Sequence, residues 1–369
     1  MKIVVAPDKF KGSIDAISLC NNVHKEIAAV YPEAQVQLFP MADGGDGFAS
    51  IIRHYLNTET VSARTVDPLG RSITAQYQFA EGQSTAYIEM ASASGLALLT
   101  PSEYSAMRTS SYGTGLLIRD AMARGARHIV LGIGGSATTD GGMGMADALG
   151  FMFLDRNEDP LDPCGESMSQ VEEIVMPETD FLEDVQFTVA CDVRNPFYGP
   201  TGAAVVYGPQ KGATPEEVLQ LDEGLKKLDA AFMKYTGRSV AEEPGAGAAG
   251  GLGGACDALL GARLISGFDH LLDVVDLEEA IAEADAVVTG EGRVDGQSFD
   301  GKVVGRIAEL ARKFSVKTYV ICGQSTLSLK QLNALGVDRM VALSDLAPSI
   351  AASVAEPQEY IAAAVKKIF

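Results

Sequence analysis

The sequence predicts an α/β protein of two domains, one of them discontinuous, and three observations predict it. Short β-branched runs alternate with helix-like segments at both ends of the chain. The middle has a different texture, with a long acidic stretch and a low-complexity glycine-alanine segment. Glycine-rich loops carrying carboxylates follow several of the strand-like runs: PMADGGDG at 40–47, GIGGSATTDGG at 132–142 and TGEGRVDGQS at 289–298. Strands alternating with helices imply a parallel sheet with right-handed crossovers.

KIVVAP (2–7) reads as the first strand, and residues 13–29 as a helix with Ser13 as N-cap and Ile14, Ile17, Val23 and Ile27 on its apolar face. QVQLFP (35–40) is a second strand. TAYIEMA (85–91), HIVLGI (128–133) and FTVACD (187–192) are strands of the middle region, interrupted by the irregular acidic stretch 155–184. Residues 214–235 carry full helix signals: Thr214 as N-cap, Pro215 at the first helical position, Glu217 closing a capping box, and Gly237 for the C-terminal cap. Its stripe of Val218, Leu221, Leu225, Leu228 and Phe232 reads as core. PGAGAAGGLGGA (244–255) suits a linker or a packed, ligand-facing loop equally well. DAVVTG (285–290), a helix near 301–313, KTYVIC (317–322), a helix near 327–335 and RMVALS (339–344) restore the alternation. The texture therefore places one discontinuous domain at 1–66 and 285–369, with 67–284 inserted into it.

A chain of 369 residues, 47% hydrophobic, can build two domains with substantial cores. The net charge of -20 argues against nucleic acid or an anionic membrane as partner, though not against a small anionic substrate held by a local cluster of cations. Five scattered cysteines without a C-x-x-C motif read as reduced thiols of a cytoplasmic protein. No stretch is long and apolar enough for a membrane span, and the apolar run of MKIVVAPDKF is too short for a signal peptide. The four histidines are isolated, and neither a Walker A loop nor a G-x-S-x-G elbow is present.

The run from Gly132 to Ala137 fits G-x-G-x-x-A after a strand, with Asp155 downstream, close to a dinucleotide fingerprint. The insert 138–142 weakens that reading, because it delays the helix and puts a carboxylate where pyrophosphate would sit. Phosphoryl transfer fits the set of loops better. It needs backbone donors for phosphate, carboxylates for a metal and an oriented hydroxyl. Asp43, Asp46, Asp140, Asp192, Glu291 and Asp295 all lie at or just past strand ends, and Lys9, Lys11, Arg71, Lys211, Arg293 and Lys302 occupy similar loops. Arg293 could brace its own loop against Glu291 and Asp295, or grip a substrate carboxylate.

The chain closely resembles the bacterial type I glycerate kinases. The matching segments run in one order along nearly the whole chain: APDKFKGSIDA (6–16), PMADGGDG, DPLGR (67–71), IEMASASGL (88–96), YGTG (112–115), GIGGSATTDGGMG (132–144), CDVRNP (191–196), GPQKGAT (208–214), PGAGAAGGLG (244–253) and TGEGRVDGQSFDGK (289–302). Lys9, Asp46 and Thr139 stand where serine, glutamate and asparagine are common. The resemblance implies a flavodoxin-like parallel-sheet domain with a second mixed α/β domain inserted, the active site in the interdomain cleft, and ATP- and Mg2+-dependent phosphorylation of D-glycerate. The product expected is 2-phosphoglycerate, although some members are assigned the 3-phospho product. It names D-glycerate and ATP as partners and leaves a homodimer open.

On that footing Arg71, Arg293 or Lys11 would grip the substrate carboxylate. Asp192, ahead of Asp43, would orient the hydroxyl, and Asp43 would also contact substrate. Gly134, Gly135 and Ser136, with Gly247, Gly250 and Gly251, would offer N–H groups to ATP, and Asp295 or Glu291 would contact Mg2+. The competing reading, from the 132–155 unit alone, is an NAD(P)-dependent hydroxy-acid oxidoreductase.

Overall fold

The computed structural model describes residues 1–45, 47–176, 182, 184–299 and 301–369. The chain divides into two compact units, one formed by Met1–Asp43 with Gly267–Phe369 and the other by Gly44–Ser266. Asp46 lies outside the described residues.

The first unit is a five-stranded, fully parallel sheet in the order Arg339–Ala342, Lys317–Cys322, Ala286–Thr289, Lys2–Val5, Gln35–Leu38. Counted along the unit, that is the 2-1-3-4-5 order of flavodoxin-like folds. The side chains of Lys317–Cys322 show why both faces are covered. Tyr319 and Ile321 join the core with Ile3, Val5 and the helices Ala16–Val30 and Pro357–Ile368. Val320 and Cys322 alternate to the other face and pack with Val304 and Ala308 of the helix Val303–Lys313. In Pro357–Ile368 the buried residues Ile361, Ala364, Val365 and Ile368 follow the helical period. The N-cap of the first helix differs from expectation. Asp15 accepts the Ser18 N–H and the helix starts at Ala16, whereas Ser13 donates its hydroxyl to the Val354 carbonyl.

The second unit is a six-stranded mixed sheet in the order Arg263–Ile265, Gln186–Ala190, His128–Gly132, Thr85–Glu89, Ser72–Ala80, Glu59–Val66. The first four strands run parallel and the last two join antiparallel. Residues 59–66, grouped with the first domain by sequence texture, are the edge strand here. Their alternating Val61, Ala63 and Thr65 are buried. The helix Pro215–Thr236 has the expected capping box, Thr214 to Glu217, and ends at Gly237 in the left-handed conformation. Leu221, Leu225, Leu228 and Phe232 are fully buried. The glycine-alanine segment is packed, with Leu252–Leu260 helical and residues 252–257 buried. Among the described residues no helix is long and apolar enough to cross a membrane.

Candidate functional site

In an open parallel sheet the loops leaving the carboxyl ends of the strands diverge where the strand order reverses, and that crevice is the usual ligand site. In the first unit the reversal lies between Lys2–Val5 and Ala286–Thr289, and a pocket of about 380 Å³ opens there. Its walls are four loops stitched by backbone bonds. Asp8 N–H donates to the Gly290 carbonyl at 2.8 Å and Met41 N–H to the Pro7 carbonyl at 3.0 Å. Gly323 and Gln324 N–H groups donate to the carbonyls of Glu291 and Gly292. The Thr289 hydroxyl donates to the Ala6 carbonyl. Such stitching holds the side chains of these loops in place without a ligand.

The lining mixes both signs of charge: Lys9, Lys11, Arg293 and Lys302 with Asp8, Asp43 and Glu291. The Lys9 ammonium lies 3.8 Å from Asp8 and 3.9 Å from Asp43. Burial pushes the Asp8 carboxyl up to about 7, and the neighbouring Asp43 charge adds to the shift while Lys9 opposes it. Glu291 is also raised, chiefly by burial, against the Ser298 hydroxyl and Lys302. Its buried Oε1 has no hydrogen-bond partner among the described residues. Arg293 faces solvent and stands 3.6 Å from Asp295, a loose pair that leaves the planar fork of the guanidinium open to an anion.

Of the residues singled out from sequence, Lys9, Lys11, Asp43, Glu291, Arg293 and Lys302 line this pocket together, and Asp8 joins them unforeseen. Among the described residues no three His, Cys, Asp or Glu side chains converge closely enough to hold a metal ion by themselves. Mg2+ in phosphoryl-transfer sites commonly uses one or two carboxylates plus phosphate oxygens and water, so the acidic oxygens here, an unpartnered one on Glu291 included, fit such an ion.

The second unit holds the other candidates. The N–H groups of Gly134, Gly135 and Ser136, just past His128–Gly132, have no acceptor among the described residues. Gly135 sits at φ +75°, and successive N–H groups around a left-handed residue form an anion-binding concavity. The helix that a dinucleotide fingerprint would need at this point begins only at Met143. Asp140 is turned inward, fully buried. It accepts the Ser111 N–H and hydroxyl and the N–H groups of Gly142 and Gly144. Burial raises its carboxyl, and those donors pull the other way.

Gly247 donates its N–H to the Asn195 carbonyl, and Gly250 offers its carbonyl to Gly141 N–H, so the 244–253 loop is built onto the 132–142 loop. Arg71 is engaged by Asp67 and Glu103, both at 2.5 Å, and braces the DPLGR turn. Asp192 follows the strand Gln186–Ala190, beside Cys191, whose thiol burial pushes up to about 12.

A charged pocket at the switch point of a parallel sheet is where α/β enzymes handle small anionic ligands, and the chain is an enzyme of that class. The model of the glycerate kinase family matches residues 3–369, and the chain belongs to this family. It is 41% identical to a glycerate kinase of Halalkalibacterium halodurans over 342 residues, covering 92% of this chain and 90% of the relative. It is 39% identical to the glycerate 2-kinase of Escherichia coli K12, covering 92% of this chain and 89% of that protein. A crystal structure from Salmonella typhimurium LT2, described as that of a glycerate kinase 2, superposes with a TM-score of 0.82 at 35% identity, covering 100% of this chain and 98% of that one.

Proposed function

We propose that this protein transfers the γ-phosphoryl group of ATP to D-glycerate, giving 2-phosphoglycerate, in a Mg2+-assisted in-line reaction. The observation that carries the reading is the first unit's pocket, where cations, two of them exposed, share one small volume with carboxylates, of which Asp8 is buried. A hydroxy acid needs both. Its carboxylate suits the guanidinium of Arg293 and the ammonium of Lys11. Its hydroxyl must be held by an acceptor able to take a proton near neutral pH, and Asp8, pushed up to about 7, has that property. Lys9, close to both Asp8 and Asp43, offsets the repulsion between them.

Glu291, with Asp295 nearby in the same loop, would hold Mg2+, which neutralises charge on the phosphate oxygens. The three outward N–H groups of Gly134, Gly135 and Ser136 suit phosphate oxygens of the nucleotide. Phosphoryl transfer relies mostly on positioning and charge neutralisation, so these clamps should matter at least as much as the base.

Two measurements test the reading. ADP formation should depend on D-glycerate, and phosphorus NMR of the product should show phosphate on the 2-hydroxyl. ADP release indifferent to D-glycerate would sink the substrate assignment, and a 3-phospho product would sink the regiochemistry alone.

A further inference from the structure

We propose that Lys211 is a positioning residue for the nucleotide loop of the second unit, holding Ser136 and Thr138 so that the N–H groups of Gly134, Gly135 and Ser136 stay presented to phosphate oxygens. The proposal rests on reading that loop as nucleotide-binding. Lys211 ends the short turn Pro209–Lys211 and is only 2% exposed. Lysine is almost never buried to this degree without a paired charge. Among the described residues no carboxylate comes within ion-pair distance of Lys211; burial pulls its amine down to about 7, and the Asp140 charge only partly opposes that shift. Its Nζ donates instead to the Ser136 hydroxyl at 2.8 Å and the Thr138 carbonyl at 2.5 Å. Both acceptors belong to one loop, 75 and 73 positions away in sequence.

The rest of that loop is held independently. Gly135 carbonyl accepts from Leu96 N–H, and Ala137 N–H donates to the Ser94 carbonyl. Asp140 fixes the loop's far end through Ser111, Gly142 and Gly144. With those bonds assigned, the consecutive N–H groups of residues 134–136 are the donors left over at a solvent-accessible place. An unmade hydrogen bond of this kind is tolerated where a ligand or water completes it. Burying a lysine amine to hold two loop atoms is costly for packing alone, but its bonds to the Ser136 hydroxyl and the Thr138 carbonyl keep the donors aimed.

The test compares Lys211→Met, Ser136→Ala and Gly135→Asp with the unaltered chain, reading KM for ATP, KM for D-glycerate and Tm. Lys211→Met should raise KM for ATP on the order of tenfold, the size of a charged hydrogen bond lost, while KM for D-glycerate stays within about twofold. Ser136→Ala, which removes one of the two acceptors, should raise KM for ATP by about threefold. Gly135→Asp puts a carboxylate where phosphate would sit and should weaken ATP more than either. If Gly135→Asp weakens ATP while Lys211→Met does not, the proposal is overturned and the loop reading stands. If Gly135→Asp leaves ATP unaffected, the loop reading falls and takes the proposal with it. A Lys211→Met variant that raises both KM values alike shows a merely structural lysine and also overturns it. Should Lys211→Met not fold, Ser136→Ala decides, and an unchanged KM for ATP in that variant counts against the proposal.

Discussion

The carboxylates of Asp8 and Asp43 share one cation, the ammonium of Lys9, at 3.8 and 3.9 Å. Burial pushes Asp8 up to about 7, the Asp43 charge adds to the shift, and the one shared ammonium opposes it without cancelling it. Two consequences follow for pH. If Asp8 must be ionised to accept the substrate proton, kcat/KM should fall below about pH 7 with the slope of a single proton. Asp8→Asn should lower kcat by a factor on the order of 10² or more. A wild-type profile flat from pH 5.5 to 8, or near-normal turnover in the variant, removes the assignment.

The same shift bears on stability, with a sign that can be worked out. Asp8 has its folded-state value raised above the ordinary 3.8. Its contribution is therefore fully present below about pH 4 and is lost as pH rises through about 7, because the folded state binds the proton more tightly than the unfolded chain. Asp8→Asn, which cannot ionise, should match or exceed the wild-type Tm at pH 8 and lose that advantage at pH 4. Thermal unfolding at the two pH values checks it, and a lower Tm for the variant at pH 8 contradicts the account.

Asp140 is one of the loop carboxylates that phosphoryl transfer could use, and the structure buries it against hydrogen-bond donors of its own scaffold. Asp140→Ala would strand the buried N–H groups of Ser111, Gly142 and Gly144. A loss of at least about 3 kcal/mol in unfolding free energy is expected, measured by urea denaturation. A stably folded but inactive variant would point instead to a direct chemical role.

Much of this was legible in sequence for local reasons, and the remainder was not, for non-local ones. The strands 285–290, 317–322 and 339–344 announce themselves by β-branched runs, and the helix Pro215–Thr236 by its cap residues, because those signals lie within a few positions of each other. Lys11, Asp43, Glu291 and Arg293 stood out because glycines and charges cluster in their loops. Asp8 is not marked by its neighbours in PDKF, because its character comes from burial and from Asp43, 35 residues on. Lys211 could be seen as one more loop cation, but not as a buried one gripping Ser136. The swap of cap from Ser13 to Asp15 has a similar origin. The residue that would cap from sequence alone is drawn off by the Val354 carbonyl from a distant helix.

The glycines expected to serve the nucleotide divide into two kinds. Gly250 lies at φ +70°, and a Cβ there would stand 2.1 Å from the Thr138 carbonyl oxygen. Gly250→Ala should therefore cost about 3 kcal/mol or more, through backbone strain and overpacking together. Gly135 is at φ +75° but meets only Ala91 Cβ at 3.4 Å. Gly135→Ala should cost about 1–2 kcal/mol, the conformational strain alone. Equal losses in denaturant unfolding would mean that the two loops are not interlocked as described.

Glu291 separates the metal question from the rest. It is partly buried, raised in proton affinity and left with one buried oxygen unpartnered. Glu291→Gln keeps the shape and retains an oxygen for the Ser298 hydroxyl, so folding should be little affected. What it removes is a negative charge, and with it a hard anionic donor for a divalent cation. Titrating activity with Mg2+ should show the half-activating concentration raised about tenfold or more, with maximal turnover partly recovered at saturating Mg2+. A variant that is equally slow at every Mg2+ concentration would place Glu291 outside the metal's reach. In that case Asp295, 3.6 Å from the solvent-facing Arg293, becomes the carboxylate to test next by the same titration.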